Sequence, residues 1–308
     1  MFQDNSGKRY RTYSQYLKDI FGEKVYKVTL NANLGCPNRD GTKSFGGCIF
    51  CDDSGSFSKA HDENLPISKQ LVTGINNLEK RFNAKKFIAY LQSYSNTYGD
   101  IETLKKIYDD AVNNERVVGL SIGTRPDCID KDKVDLISTY AKDKEVWIEY
   151  GLQSIHDKTL LAINRSHTAQ DFIDAVKLTQ NHGIKISAHV ILGLADETKE
   201  DMLQTAKALA DVGIDGVKLH ALCVLKNSKL EPIYNAGDLK ILEEDEYVDL
   251  ACSFMELLPK NVVIHRLAGN GYKKSLIAPI WLGQKFKTLN KIDEWFIAHN
   301  SCQGLKYI

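Results

Sequence analysis

VYKVTLNANLGCPNRDGTKSFGGCIFC, residues 25–51, decides how the rest of the chain is read. It opens on an apolar, β-branched run, the signature of a buried strand. It then enters a stretch rich in Gly, Asn, Asp and Ser that continues to residue 66. A loop as long as 32–66 is functional or disordered far more often than it is a plain connection. Within it stand Cys36, Cys48 and Cys51, spaced C-x11-C-x2-C. Three thiolates on one loop can hold a soft metal, either iron–sulfur or zinc. Gly41, Gly46 and Gly47 let the backbone curl so that the sulfurs converge. Three protein ligands leave one coordination position open. Adding His61 would instead make a structural zinc site of the three-Cys, one-His type, and spacing alone leaves both readings standing.

Working outward, five further strand-like runs follow at 86–92, 117–123, 146–151, 186–193 and 215–220. Most starts lie about 30 residues apart, the size of a strand–helix unit. The segments between them carry helical periodicity. Ile67, Leu71, Ile75, Leu78 and Phe82 form one stripe, and Phe172, Ile173, Val176 and Leu178 another, with Gly183 and Gly213 at expected helix ends. Such alternation means an α/β chain with a parallel sheet covered by helices, as an open doubly wound sheet or a partial barrel. The cysteine loop directly follows the first strand. It therefore lies at the C-terminal mouth of the strands, where these folds keep their chemistry. Residues 221–308 break the rhythm, with a helix expected near 240–257, a strand at VVIHRL and a final helix near 289–299. They read as a C-terminal α/β extension packed on the barrel, with Pro259 as its internal boundary.

Composition bounds the remaining choices. The 308 residues are 43% hydrophobic, 26% charged and 9% aromatic, with zero formal net charge. That excludes a disordered chain and a protein whose whole surface is a polyanion footprint. No apolar run approaches the length of a membrane span, and MFQDNSGKRYRTYSQYL lacks a signal peptide's apolar middle. A cytoplasmic protein is expected, with no membrane partner. The seven cysteines are odd in number and four are scattered, a poor disulfide framework. Charge is uneven: residues 1–30 carry +3, residues 260–308 carry +6 and the middle carries −9. Either this is ordinary surface variation or the two ends build a basic face.

Several stretches together are recognisable: CPNRDG…GGCIFC, AYLQSYSNTY (89–98), IGTRPDC (122–128), IEYGLQS (148–154), AINRSH (162–167), HVILGL (189–194) and VKLHALCVLK (217–226). In this combination the chain resembles the radical S-adenosylmethionine (SAM) superfamily, and within it the YtqA/YhcC-type family related to Elp3-like proteins. The eleven-residue first gap departs from the superfamily's C-x3-C-x2-C and matches this family. The resemblance implies a partial (β/α)6 radical SAM barrel over 25–220, preceded by a basic segment at 1–24. It further implies that Cys36, Cys48 and Cys51 ligate a 4Fe–4S cluster whose fourth iron takes the amino and carboxylate groups of SAM. Reduction by a donor such as flavodoxin or ferredoxin would release a 5′-deoxyadenosyl radical.

The same resemblance places Phe50, Gln92, Ser93, Glu149, Gln153 and Arg165 around SAM. Gln92-Ser93-Tyr94 stands where the superfamily usually has Gly-Gly-Glu, and Gly123 where related proteins have a glutamate. Arg165, twelve residues after Gln153, is the expected partner of the SAM carboxylate. His189, Lys218 and His220 fall at adjacent strand ends and are the candidate catalytic residues, a histidine being able to move protons near neutral pH. His265, Arg266, Tyr272, Lys273, Lys274, Trp281, Lys285 and Lys287 are candidates for nucleic-acid contact.

The resemblance implies tRNA as substrate, with 5-carboxymethylaminomethyluridine at the wobble position converted to 5-aminomethyluridine. Two rivals stand beside it: radical chemistry on a small metabolite or peptide, and a zinc-stapled nucleic-acid-binding module without catalysis.

Overall fold

The computed structural model describes residues 2–51, 65–269 and 275–308. Strands β1 (Val25–Leu30), β2 (Lys86–Leu91), β3 (Val117–Thr124), β4 (Glu145–Gln153), β5 (Lys185–Leu192) and β6 (Gly216–Ala221) lie side by side in chain order, all parallel. The six runs expected from the sequence are these six strands. Beyond them lie β7 (Val224–Leu225), β8 (Val263–Arg266) and β9 (Leu276–Ala278). β8 pairs parallel with β6 as a seventh strand of the main sheet, while β7 and β9 form a small antiparallel pair. The VVIHRL strand of the tail is thus part of the barrel wall.

Period-two alternation explains the layers. Along β4, Val146, Ile148 and Tyr150 pack outward in the main apolar core, whereas Trp147, Glu149 and Gly151 face the interior. The Tyr150 hydroxyl meets Thr179 Oγ1 at 2.7 Å, and its ring meets Phe172 edge-on, fixing helix Ala169–Thr179 against that outer face. That helix ends before Gly183, because Gln180 turns extended and Gly183 serves the following turn at φ +75°. Helix Lys199–Val212 does end on Gly213, as expected. The tail helices run from Glu244 to Glu256 and from Lys285 to Ala298. No helix among the described residues is long and apolar enough to cross a membrane.

The sheet is curled. Lys27 on β1 and Lys218 on β6 both reach Glu149 on β4, which a flat sheet would forbid. Helix Tyr13–Phe21 closes the N-terminal end of this half-barrel. Thr12 caps it by accepting from the Gln15 N–H, and Tyr13, Tyr16 and Leu17 pack with Val25, Ile88, Trp147 and Val263. Glu145 Oε1 accepts from both the Tyr16 hydroxyl (2.6 Å) and the Trp147 indole (2.8 Å). Ile264 N–H donates to Arg11 O at 2.7 Å, joining this segment to β8.

The chain's two ends do meet, but much of their charge is turned inward. Arg9 donates to Phe296 O and Ser301 O, Lys8 pairs with Asp293, and Lys27 points into the barrel.

Trp147 is wholly buried at the heart of the plug. Trp147→Ala should lower stability by about 3–5 kcal/mol, whereas Phe286→Ala, at a side chain 79% exposed, should change it by less than ~0.5 kcal/mol. Chemical denaturation midpoints of the two variants check this.

Candidate active site

The strands' C-terminal ends and the cysteine loop enclose a cavity of about 570 Å³. Cys36, Cys48, Phe50, Cys51, Gln92, Ser93, Glu149, Gln153, Arg165, His189, Lys218 and His220 all line it, so the candidates for cluster, SAM and catalysis share one cavity.

At the mouth, the loop after β4 holds the cysteine loop in place. Asn164 is the clamp: its Nδ2 donates to Gly47 O (2.8 Å), its Oδ1 accepts from Ser44 Oγ (3.1 Å), and its carbonyl accepts from Asn38 Nδ2. Ile49 N–H also donates to Ile163 O. Asn164 and Ser166 are left-handed at φ +52° and +57°, and this unusual pair of conformations aims the intervening Arg165 inward. Arg165 Nη1 lies 3.5 Å from Cys48 Sγ, and Nη2 donates to Gly151 O at 2.7 Å. A Cβ at Gly151 would stand 2.6 Å from that nitrogen, so only glycine admits the guanidinium. Neither Asn38 nor Asn164 was singled out in the sequence, since a polar side chain that braces a remote loop leaves no local signal.

The three cysteines are free thiols in a positive environment. Cys51 donates its S–H to Cys48, and the charges of Arg165 and Arg125 add to this, so the Cys48 thiol is held well below its usual range. Such a setting suits thiolates that ligate a soft metal. The other cysteines differ: burial pushes Cys128 up to about 11 and raises Cys252 as well. His61, the fourth ligand of the zinc reading, lies outside the described residues.

The surroundings of the cysteines fit a ligand with an amine and a carboxylate. Ser93 and Tyr94 are consecutive left-handed residues at φ +90° and +55°, and Gln153 is left-handed at +77°. Buried and without hydrogen-bond partners among the described residues are Ser93 Oγ, Arg165 Nε and Arg125 Nη1. Arg125 is anchored by Asp127, which accepts from its Nε and Nη2 at 2.8 Å each. Orphaned buried polar atoms of this kind call for an absent partner. Cys36, Cys48 and Cys51 would hold the 4Fe–4S cluster, and Ser93, Gln153, Arg125 and Arg165 would hold SAM.

Glu149 lines the same cavity but is already partnered by protein groups. Its side chain is fully buried on the cavity floor and both oxygens are occupied. Oε1 accepts from Lys27 (2.8 Å) and Ser121 (2.5 Å), and Oε2 from His189 Nε2 (2.9 Å) and Lys218. Burial alone would raise this carboxyl, but Lys218 and Lys27 hold it well below the usual range. Burial and Lys218 push His189 down to about 4, so its ring is held neutral beside Glu149. His220 is likewise lowered, by burial and Arg266.

His265, expected on nucleic acid, is inside the barrel, its ring 4.0 Å from Tyr13 and 4.3 Å from Trp147. Trp281 donates to Leu242 O and packs on Tyr247, which removes it as a base-stacking surface. Lys287 pairs with Glu244, and Lys285 is half-buried. Tyr272, Lys273 and Lys274 lie outside the described residues. Lys27 and Tyr90 were missed in the sequence; a lysine at an interior position of the first strand was the signal available.

Known proteins match this chain along most of its length. Residues 32–209 match the Radical SAM superfamily model, and residues 214–297 match the Radical_SAM C-terminal domain. The chain is 37% identical over 300 residues to Uncharacterized protein YtqA of Bacillus subtilis, covering 97% of this chain and 93% of that one. It is 29% identical over 171 residues to a tRNA uridine(34) acetyltransferase of Methanocaldococcus infernus, covering 54% of this chain and 31% of that protein. Among solved structures, archaeal Methanocaldococcus infernus Elp3 superposes with a TM-score of 0.65 at 20% identity, over 87% of this chain and 63% of that one.

Two sets of variants test the site. Cys36→Ala, Cys48→Ala and Cys51→Ala should each abolish iron and sulfide binding after anaerobic reconstitution, while Cys128→Ala, Cys252→Ala and Cys302→Ala should keep it. Arg165→Ala should retain iron but bind SAM about ten- to a hundred-fold more weakly, the loss of one charge-assisted hydrogen bond. Iron analysis and SAM titration read the two outcomes separately.

Proposed function

The chain belongs to the radical SAM superfamily, enzymes that use a 4Fe–4S cluster and SAM, and to its group that includes YtqA; from that premise we propose that it modifies tRNA at the wobble uridine. The specific reaction is removal of the carboxymethyl group of 5-carboxymethylaminomethyluridine, leaving 5-aminomethyluridine. Bound together, the cluster and SAM supply one-electron chemistry that abstracts hydrogen from carbon. The methylene between amine and carboxylate suits that chemistry, because a radical there is delocalised onto both neighbours; return of one electron from it to the external electron carrier would give the imine, and water would then release the two-carbon unit as glyoxylate and leave the amine on the base.

The observation that carries an RNA substrate is the rim of the cavity. Phe45 projects from the cysteine loop with 76% of its surface exposed. A Cβ at the neighbouring Gly46 would stand 2.6 Å from Lys229 Nζ, so the exposed Lys229 lies against the same loop. Exposed Lys226 follows β7, and Arg39 lies over the Tyr94 ring at 5.5 Å. Aromatic faces interleaved with cations are what a splayed anticodon-loop base and its phosphates require. The partial likeness to a tRNA uridine(34) acetyltransferase supports the same substrate class.

In this reading the protein's own groups divide the work. Arg39, Lys226 and Lys229 receive phosphates at the rim, and Phe45 stacks a base. Arg165, Arg125, Gln153 and Ser93 orient SAM against the thiolates. The apolar walls of the inner mouth, Ile191, Leu222 and Leu225, exclude water from the reacting carbon. The reductant is an external electron donor such as flavodoxin or ferredoxin.

Zero net charge favours the second reading, a small-metabolite or peptide substrate, and salt dependence separates the two. If tRNA is bound, affinity should fall steeply as ionic strength rises, because lysine and arginine contacts release counterions from phosphates. Lys226→Glu/Lys229→Glu should weaken tRNA binding and leave SAM affinity unchanged. Salt-insensitive or absent tRNA binding by the wild type would favour the small substrate. Comparing tRNA nucleosides from a deletion strain and its parent tests the reaction itself: 5-carboxymethylaminomethyluridine should accumulate at the expense of 5-aminomethyluridine.

A further inference from the structure

The floor of the cavity is electrostatically unbalanced. Among the described residues lining the cavity, Lys27, Arg39, Arg125, Arg165, Lys218 and Arg266 are cations and Glu149 is the one carboxylate. At the mouth, Arg165 and Arg125 face the Cys48 thiol, Arg125 is also paired with Asp127, and Arg39 lies over the Tyr94 ring. The floor differs. Lys27 and Lys218 share Glu149, and Arg266 makes no ion pair or hydrogen bond with any described residue. Arg266 is half-buried at the position of β8 that pairs with Lys218. Burial depresses both floor lysines, and Arg266 depresses them further, so the three cations oppose one another.

A second observation points the same way. The His265 side chain is wholly buried, yet neither ring nitrogen has a hydrogen-bond partner among the described residues, its Nδ1 standing 3.8 Å from Glu149 Oε1. His220 Nε2 is also buried without a partner among the described residues. Both rings line the cavity and are held neutral by burial. A neutral imidazole offers one N–H to an acceptor. Unmet donors beside uncompensated cations are costly unless a ligand supplies the missing charge.

We propose that the barrel floor is a subsite for a carboxylate of the substrate, held by Arg266 and Lys218 with an N–H from His220. A singly charged, planar carboxylate fits better than a phosphate dianion, because Glu149 shares the floor and repels the second charge. Tyr90, whose hydroxyl accepts from Lys218 at 2.9 Å, and Glu149 with Lys27 then act as positioning residues for the Lys218 ammonium. This deepens the tRNA reading and rests on it for which carboxylate arrives, the glycine-like one of the modified uridine, but not for the presence of the subsite.

The test is anaerobic calorimetry on the full-length, cluster-reconstituted protein saturated with SAM. The probes are 5-carboxymethylaminomethyluridine and its carboxamide, with N-acetylglycine and N-acetylglycinamide as a pair lacking the nucleoside. The wild type should bind the acid of a pair at least about tenfold more tightly than the amide. Arg266→Gln should bring that ratio close to one while SAM still binds. Lys218→Met should do the same where it folds, and Arg266→Gln keeps the test decisive where it does not. A preference for N-acetylglycine without binding of either nucleoside supports the subsite and removes the wobble-uridine reading. Equal affinity for acid and amide, or no binding of any probe, overturns the proposal. So does an Arg266→Gln variant that loses SAM and keeps the acid preference, since the anion would then be SAM's own carboxylate.

Discussion

A single buried carboxylate organises this molecule. Glu149 sits at the middle of the fourth strand, where no water reaches it, so its charge must be met by protein groups. Those groups come from the first, fifth and sixth strands: Lys27, His189 and Lys218. They converge only if the sheet curls. The aromatic plug of Tyr13, Tyr16 and Trp147 lies beneath this cluster and sets the depth at which the cavity ends. Curl, depth and floor charge are thus three consequences of one pairing.

The cavity above that floor has two electrostatic regimes. At the mouth, arginines face thiols, and the loop at 162–167 does two jobs at once: Asn164 clamps the cysteine loop and Arg165 reaches Cys48. At the floor, lysines and Arg266 face one acid. A ligand spanning both regimes would find cations at each end and apolar walls between them, including Ile191, Leu222 and Leu225. That division fits an enzyme that must hold a cofactor and a substrate at once, in a fixed order along one axis.

The uneven charge of the chain is reinterpreted by the fold. The N- and C-terminal segments are neighbours, but Lys8 and Arg9 serve their packing, and Lys27 and Arg266 belong to the interior. The rim cations come instead from the middle of the chain, the exposed Lys226 and Lys229 and the half-buried Arg39. Net charge by segment therefore says little about where a polyanion would dock. Position relative to the cavity mouth says more.

Local pattern alone determined a great deal. The six strands of the barrel, the helices between them and the siting of the cysteine loop at the strand ends follow from period-two and period-3.6 burial, which short windows record faithfully. The site residues were legible as a set because the motifs that carry the family resemblance contain them, and the fold gathers them into one cavity. What each does was not legible. Glu149 reads as a strand-end acid, and only the curl reveals that it is enclosed by two lysines and a histidine. His189 reads as a proton carrier, and only burial beside Lys218 makes it neutral. The seventh strand, the clamp at Asn164 and the unmatched Arg266 depend on contacts between residues more than a hundred positions apart, or between the tail and the barrel. Such contacts carry no periodicity, so the sequence determined which groups are present, and tertiary structure decided which charges are neutralised and which await a partner.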